Sequence, residues 1–258
     1  MIVAAAVCPA APWLLPGVAP RLAEGAARIA AAATAAVATL AEVDGIVVVL
    51  PPSARRVGSP RVDRTGHDRT ATGGEGALPP PGTTRVGVSR RDRSQGPLVA
   101  VAPAVAAELL ARAGVDRPIQ VVTATDGSIP PPAAVDDSSR TGLLVLADGA
   151  AAHGPSAPGR EDPRSAELDR RLGDALAAGR PDRLATATAA TADPSPTDLL
   201  AQIEGLRLLA AWTADRPPQQ SSLLVCAAPF GVGYLVATWT WSAARGTVRP
   251  GSSDKIGR

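Results

Sequence analysis

Residues 142–159, GLLVLADGAAAHGPSAPG, decide the fold. Leu143 to Ala147 are apolar without alternation, and Asp148-Gly149 stops the run. An unbroken apolar run of this length reads as a strand buried on both faces of an α/β sheet, expected over residues 142–147. In such sheets chemistry sits just beyond the carboxyl ends of the strands. Asp148 falls there, and so, after a loop of small residues, does His153, one of two histidines in the chain. These two are the candidate catalytic residues. A plainer role stays open for each: a surface-loop imidazole, and an aspartate bracing its own turn.

Working outward, residues 2–7 form a second short apolar run bounded by Pro9, and residues 45–50, GIVVVL, a third. The third is rich in β-branched residues, which pack well on a covered sheet. Between them, Ala, Leu and Ile from 21 to 41 predict a long helix, completing a strand–helix–strand unit. A helix over 103–113 and a strand over 119–123 follow, then a loop over 125–140. A helix is expected over 163–178, with Pro163 at its start and Gly179 beyond its end. A further helix is expected over 197–211, entered through 193–196. Strands over 223–226 and 234–241 close the chain around a turn at 227–233. Strands alternating with helices predict a three-layer α/β/α sandwich around a mostly parallel or mixed sheet. It is read as a single domain over 1–245, with an insertion at about 53–97 and a polar tail at 246–258.

Composition narrows the function. Alanine supplies much of the 45% hydrophobic content and aromatics only 2%, so the core must be built from Ala, Val and Leu. Net charge is +2 and Lys255 is the only lysine, so the basic balance rests on arginine. No aromatic residues interleave with those arginines as a nucleic-acid groove would require, and no nucleic-acid partner is expected. No apolar stretch approaches the roughly 20 residues that span a bilayer, and no secretory signal is evident. A cytoplasmic protein without a membrane partner is therefore expected. Cys8 and Cys226, the only cysteines, are too few for a disulfide framework or an all-cysteine zinc site and read as small buried residues. Common nucleotide-binding, hydrolase and zinc-protease motifs are absent, and Gly231-Val232-Gly233 opens a strand and not a helix, which speaks against a dinucleotide loop. Arg55 and Arg56 offer an anion site, with solvated loop arginines as the alternative. Two histidines would both be consumed by a two-His-one-carboxylate iron centre, and His67 lies in the Pro-, Gly- and Arg-rich insertion.

The opening AAAVCPAAPWLLPGVAP, the middle piece LLVLADGAAAHGPSAPGREDPRSAELDRRLGDAL and the late piece LLVCAAPFGVGYLVATW resemble the LigB-type proteins. These are the catalytic-subunit group of class III extradiol ring-cleavage dioxygenases, here in their actinobacterial branch. The resemblance covers most of the chain outside residues 53–97. It implies an α/β/α sandwich and, in active members, Fe(II) held by two histidines and an acid to open catechol-type rings with O2. The first family histidine lies in a loop resembling Pro9-Ala10-Ala11-Pro12, where Ala10 takes its place. The second lies in a turn resembling Pro51-Pro52-Ser53, where Ser53 takes its place. The family's base histidine follows a strand end like Ala147-Asp148-Gly149, with His153 a few residues later. The resemblance therefore implies a degenerate metal site, with no metal ligand and no cofactor expected, Fe(II) entering only if the dioxygenase reading holds. An active or divergent metal-dependent ring-opening enzyme is the alternative. A small aromatic ligand and self-association are the partner expectations. Cys8, Ala10, Trp13, Ser53, Phe230 and Tyr234 are the candidate pocket residues, and whether Trp13 and Phe230 fill that pocket separates a binding protein from an enzyme.

The insertion generates its own test. Its composition buries too little apolar surface to offset ordering the chain. Limited proteolysis with mass mapping is expected to place the first cuts within residues 53–82; first cuts elsewhere would overturn that reading.

Overall fold

The computed structural model describes residues 1–18, 24–52, 101–124, 135 and 138–242. All belong to one compact unit, Met1–Ser53 with Ala100–Arg258. Ser53, Arg55, Arg56, His67 and the tail at 246–258 lie outside the described residues.

The elements in order are β1 (Ile2–Cys8), α1 (Glu24–Ala38), β2 (Gly45–Leu50), α2 (Val101–Arg112), β3 (Ile119–Thr123) and β4 (Thr141–Leu146). After them come α3 (Ser165–Ala177), α4 (Pro181–Thr188), α5 (Glu204–Trp212), β5 (Gln220–Ala227) and β6 (Tyr234–Thr240), with a 3-10 turn at Pro12–Leu14. The six strands form one sheet in the order β3-β2-β4-β1-β6-β5. β3, β2, β4 and β1 run parallel, while β6 is antiparallel to both β1 and β5. The sheet is mixed and flanked by helices, a three-layer α/β/α sandwich.

The unbroken apolar runs are explained by coverage of both faces. Alternate residues of one strand enter different cores. Val47, Val49, Leu143, Val145 and Ala147 join the core under α3, α4 and α5. Val48, Leu50, Leu144, Leu146 and Cys8 join the core under α1 and α2. α1 meets the sheet through Ala26, Ala30, Ala33 and Ala36, small residues that let the helix lie close to β1. Trp239 on β6 and Trp241 just past it meet edge-on with centroids 6.2 Å apart. Trp239 is 1% exposed and its Nε1–H donates to the Leu176 carbonyl at 2.8 Å, closing the carboxyl end of α3 onto β6.

Boundaries shift by a few residues where helices begin or end, but two differences have physical causes. The helix expected over 197–211 starts only at Glu204. Ahead of it Leu200 adopts a φ of +54°, which breaks a right-handed helix, and Gln202 and Asp148 exchange backbone hydrogen bonds at 3.0 Å in both directions. That pairing holds residues 197–203 as turns across the end of β4. Helix α4 is additional to the expected elements, although Pro181 at its first turn and Asp182 after it are good start signals.

Helix α5 is set against the sheet through Gly205. A Cβ there would lie 2.9 Å from Val145 Cγ1 and 3.1 Å from the Leu146 carbonyl, neither of which yields readily. Gly205→Val is expected to cost about 1–3 kcal/mol by overpacking, read as a lower urea midpoint with unchanged slope. An unchanged midpoint would show that α5 is free to move off the sheet.

Candidate functional site

The sheet brings one set of loops together. Val7 is in register with both Val145 and Ala237, so the carboxyl ends of β1 and β4 and the amino end of β6 lie at one rim. Residues 9–14, 147–163 and 228–233 gather there. The start of α5 joins them, because Gly205 packs on Val145 and Leu146.

Asp148 stands at that rim. The backbone N–H of Ala10 donates to its Oδ1 at 3.2 Å, so the loop after β1 is tied to the end of β4. Asp148 keeps only partial exposure and is surrounded by protein on most sides. Loss of hydration pushes its carboxyl up to about 7, with the Asp169 charge adding to the rise and the Ala10 N–H opposing it.

His153 is held by a residue that sequence reading missed. Its Nε2 lies 2.7 Å from Asp169 Oδ2, and Asp169 Oδ1 accepts the Ala150 N–H at 2.8 Å. Asp169 sits on the second turn of α3 and is 5% exposed. Burial raises its carboxyl above the ordinary range, while the Ala150 and His153 hydrogen bonds pull it down. Two glycines make room for this carboxylate. A Cβ on Gly149 would lie 2.2 Å from Oδ1, and one on Gly233 would lie 1.7 Å from Oδ2. The same loops are laced by backbone hydrogen bonds, Gly149 N–H to Gly233 O and Gly233 N–H to Ala150 O, both 2.7 Å. His153 N–H to Gly231 O at 3.1 Å extends the lacing. The signal is present in the sequence: Ser165, Leu168, Asp169, Leu172, Gly173 and Leu176 share the buried stripe of α3, and aspartate is almost never buried unless paired.

The aromatic candidates do meet. Trp13 and Tyr234 stand edge-on with centroids 5.3 Å apart, Trp13 and Phe230 at 5.7 Å, and Phe230 and Tyr234 at 6.4 Å. Trp13 Nε1–H donates to the Tyr234 hydroxyl at 3.1 Å. Tyr234 is buried, which raises its phenol, with the Asp148 charge acting in the same direction. Phe230 is 39% exposed. The rings pack on one another and occupy the β1–β6 side of the rim. Cys8 does not join them: it is fully buried, its Sγ faces the Ala33 carbonyl, and burial raises its thiol strongly. Cys226, expected to be buried, is instead exposed on β5, where it lies near the edge of the sheet. A cavity of about 520 Å³ opens beside the 147–163 loop, lined by Ala152, Arg160, Asp162, Asp198 and Leu200, away from the aromatic trio.

The described residues do not fit a two-His-one-carboxylate iron centre. Ala10 offers a methyl group and an N–H, which cannot ligate iron, and that N–H already engages Asp148. His153 is the single imidazole among the described residues, with Nε2 on Asp169. Among them no group of three His, Cys, Asp or Glu is placed to hold a metal. No helix among them is long and apolar enough to cross a membrane. Compared with known proteins, the chain matches no family model and no curated sequence.

Asp148 supplies a pH test. Its carboxyl is raised in the folded state, so between about pH 4 and 7 the native state binds more protons than the unfolded one. Its contribution therefore falls as pH rises through that window, by on the order of 1–4 kcal/mol. Asp148→Asn keeps the acceptor for Ala10 and removes the titration. Relative to wild type it is expected to gain stability between pH 5 and 8 in urea unfolding. A constant difference across that range would show Asp148 ionising as it does in water.

Proposed function

We propose that this protein is a LigB-like member of the class III extradiol dioxygenase type with a degenerate metal site, one that binds a small aromatic ligand without iron-dependent ring cleavage. One observation carries the reading. Where the resemblance leads one to expect an imidazole, Ala10 presents only a methyl group, which cannot ligate iron, and its backbone N–H ties the loop after β1 to Asp148. The α/β/α sandwich and the gathering of His153, Asp148 and the aromatic residues at one rim support the family assignment. The aromatic trio, with Phe230 half-exposed at its edge, supports a flat apolar ligand, because rings stack edge-on and face-on with little loss of freedom. The reading includes a cytoplasmic location, no nucleic-acid partner and no resident cofactor.

A second reading is favoured by the His153–Asp169 pair. An imidazole oriented by a buried carboxylate is the arrangement of a general base, which suits a divergent enzyme using the same rim.

Elemental analysis after anaerobic Fe(II) reconstitution, beside oxygen uptake on protocatechuate and catechol, tests the first reading. Far less than one iron per chain and no ring opening are expected, since even losing partners that only orient a ligand costs about 10–100-fold in metal affinity. Near one iron per chain with turnover abolished in His153→Ala would replace it with the dioxygenase reading.

A further inference from the structure

We infer that Asp169 is a positioning residue that fixes His153 in its Nε2–H tautomer and leaves Nδ1 as a metal-independent base for a weakly acidic hydroxyl such as a phenol. The inference rests on the aromatic-ligand reading only for the identity of that hydroxyl; the tautomer stands on its own geometry.

The carboxylate occupies a built seat. Its Oδ1 is committed as an acceptor, because a backbone N–H can only donate and that of Ala150 lies 2.8 Å away. Its Oδ2 is left for the ring, 2.7 Å from Nε2. Gly149 comes from the loop after β4 and Gly233 from the β5–β6 hairpin. Any side chain at either would overlap the carboxyl group, at 2.2 Å and 1.7 Å. Two separate loops thus close on one carboxylate, and the hairpin holds the histidine loop through backbone bonds from Gly149 and His153 to Gly233 and Gly231.

Proton placement follows from what each group can donate or accept. An ionised carboxylate can only accept, so the ring nitrogen that faces it must be the one that donates. Nε2 therefore carries the hydrogen and donates to Oδ2. In the neutral ring the other nitrogen must then carry the lone pair. The His153 side chain is 19% exposed while that of Asp169 is 7% exposed, so the ring is tied at its inner nitrogen and retains access to solvent. His153 N–H bonds to the carbonyl of Gly231, the residue after half-exposed Phe230, so the imidazole loop and that ring belong to one rim.

The chemistry is a single proton transfer. The hydroxyl proton of the ligand passes to Nδ1, the ligand becomes an oxyanion and the ring becomes an imidazolium. Nε2–H remains on Asp169, whose negative charge faces the new positive one. Neutral reactants give an ion pair, with no oxidant, reductant or metal in the balance. A purely structural staple would use the same hydrogen bond but would place no requirement on Nδ1.

The experiment exploits the scarcity of histidine. In His67→Gln protein, His153 is the single imidazole of the chain, and its two ring nitrogens are read by nitrogen-15 NMR above neutral pH. The expected result is a protonated Nε2 and an unprotonated Nδ1. Asp169→Asn keeps the shape, but its amide N–H donates to Nε2 and is expected to move the hydrogen to Nδ1. Carbethoxylation of His153 by diethyl pyrocarbonate, which needs a free ring nitrogen, should then slow at least about tenfold, as when a base is held in the wrong tautomer. A hydrogen on Nδ1 in the parent, or the same tautomer in both proteins, overturns the inference. If Asp169→Asn does not fold, Asp169→Ser takes its place, and an Nε2–H signal as fully populated as in the parent overturns the inference. 4-Nitrophenol, whose ionisation is visible, probes the ligand. Bound as phenolate below its own pKa by the parent and as neutral phenol by Asp169→Asn, it supports the base. Bound neutral by both, it overturns that role. No binding by either sinks the aromatic-ligand reading, and the nitrogen signals still decide the tautomer.

Discussion

The carboxyl end of this sheet depends on burying one carboxylate. Asp169 lies under the loop after β4 with Ala150 N–H on one oxygen and His153 on the other. A buried charge left unpaired would be far too costly, so both partners have to be in place whenever the rim is closed. That requirement reaches into three elements. α3 must present Asp169 on a face otherwise made of Leu168, Leu172 and Leu176. The β4 loop must turn at Gly149, and the β5–β6 hairpin must return at Gly233, because neither position admits a Cβ beside the carboxyl group. The hairpin then carries Phe230 and Tyr234 to Trp13, and Trp13 closes the first loop.

The rest of the molecule solves a different problem, a core with few aromatics. A sheet covered on both faces needs long apolar runs, and this chain fills them with Ala, Val and Leu. Alanine contributes little area per residue, so stability must come from close approach. Gly205 lets α5 sit against Val145 and Leu146, and the alanine face of α1 does the same over β1. Apolar packing of this kind is tolerant of detail. The Asp169 seat is not, because it depends on two glycines and two directed hydrogen bonds.

That contrast explains what the sequence made legible. β2 and β3 match their expected bounds residue for residue, because runs such as GIVVVL have one sensible environment. His153 and Asp148 are also readable, since strand ends announce themselves, whereas Trp13, Phe230 and Tyr234 enter as pocket candidates only beside the family resemblance. Asp169 escapes that reading, although its place on the buried stripe of α3 is there to see; helix periodicity finds apolar positions more readily than the polar exception among them. The false start of α5 has no local cue. Residues 197–203 have ordinary helix formers, and only the Asp148–Gln202 bridge and the left-handed Leu200 hold them open. A pairing between residues so far apart in the chain is a tertiary fact that no window along the sequence contains.

The pairing of His153 with Asp169 can be explained as structure or as chemistry, and energetics bear on the choice. A buried carboxylate with its hydrogen-bond partner is weak evidence for stability, because well-packed apolar residues of similar volume commonly serve as well or better. A chain that builds the rest of its core from Ala, Val and Leu has such residues at hand. A methyl at position 169 and an apolar side chain at 153 would also relieve the demand for glycine at 149 and 233. What the polar arrangement supplies and an apolar one does not is an imidazole with one nitrogen committed to a buried carboxylate. Beside it stands Asp148, whose carboxyl is raised to about 7 by burial and by the Asp169 charge. The rim thus combines a carboxyl held well above the usual carboxylate range with a tethered imidazole. Such a pair suits the base role proposed above, which asks for no metal ligand at Ala10.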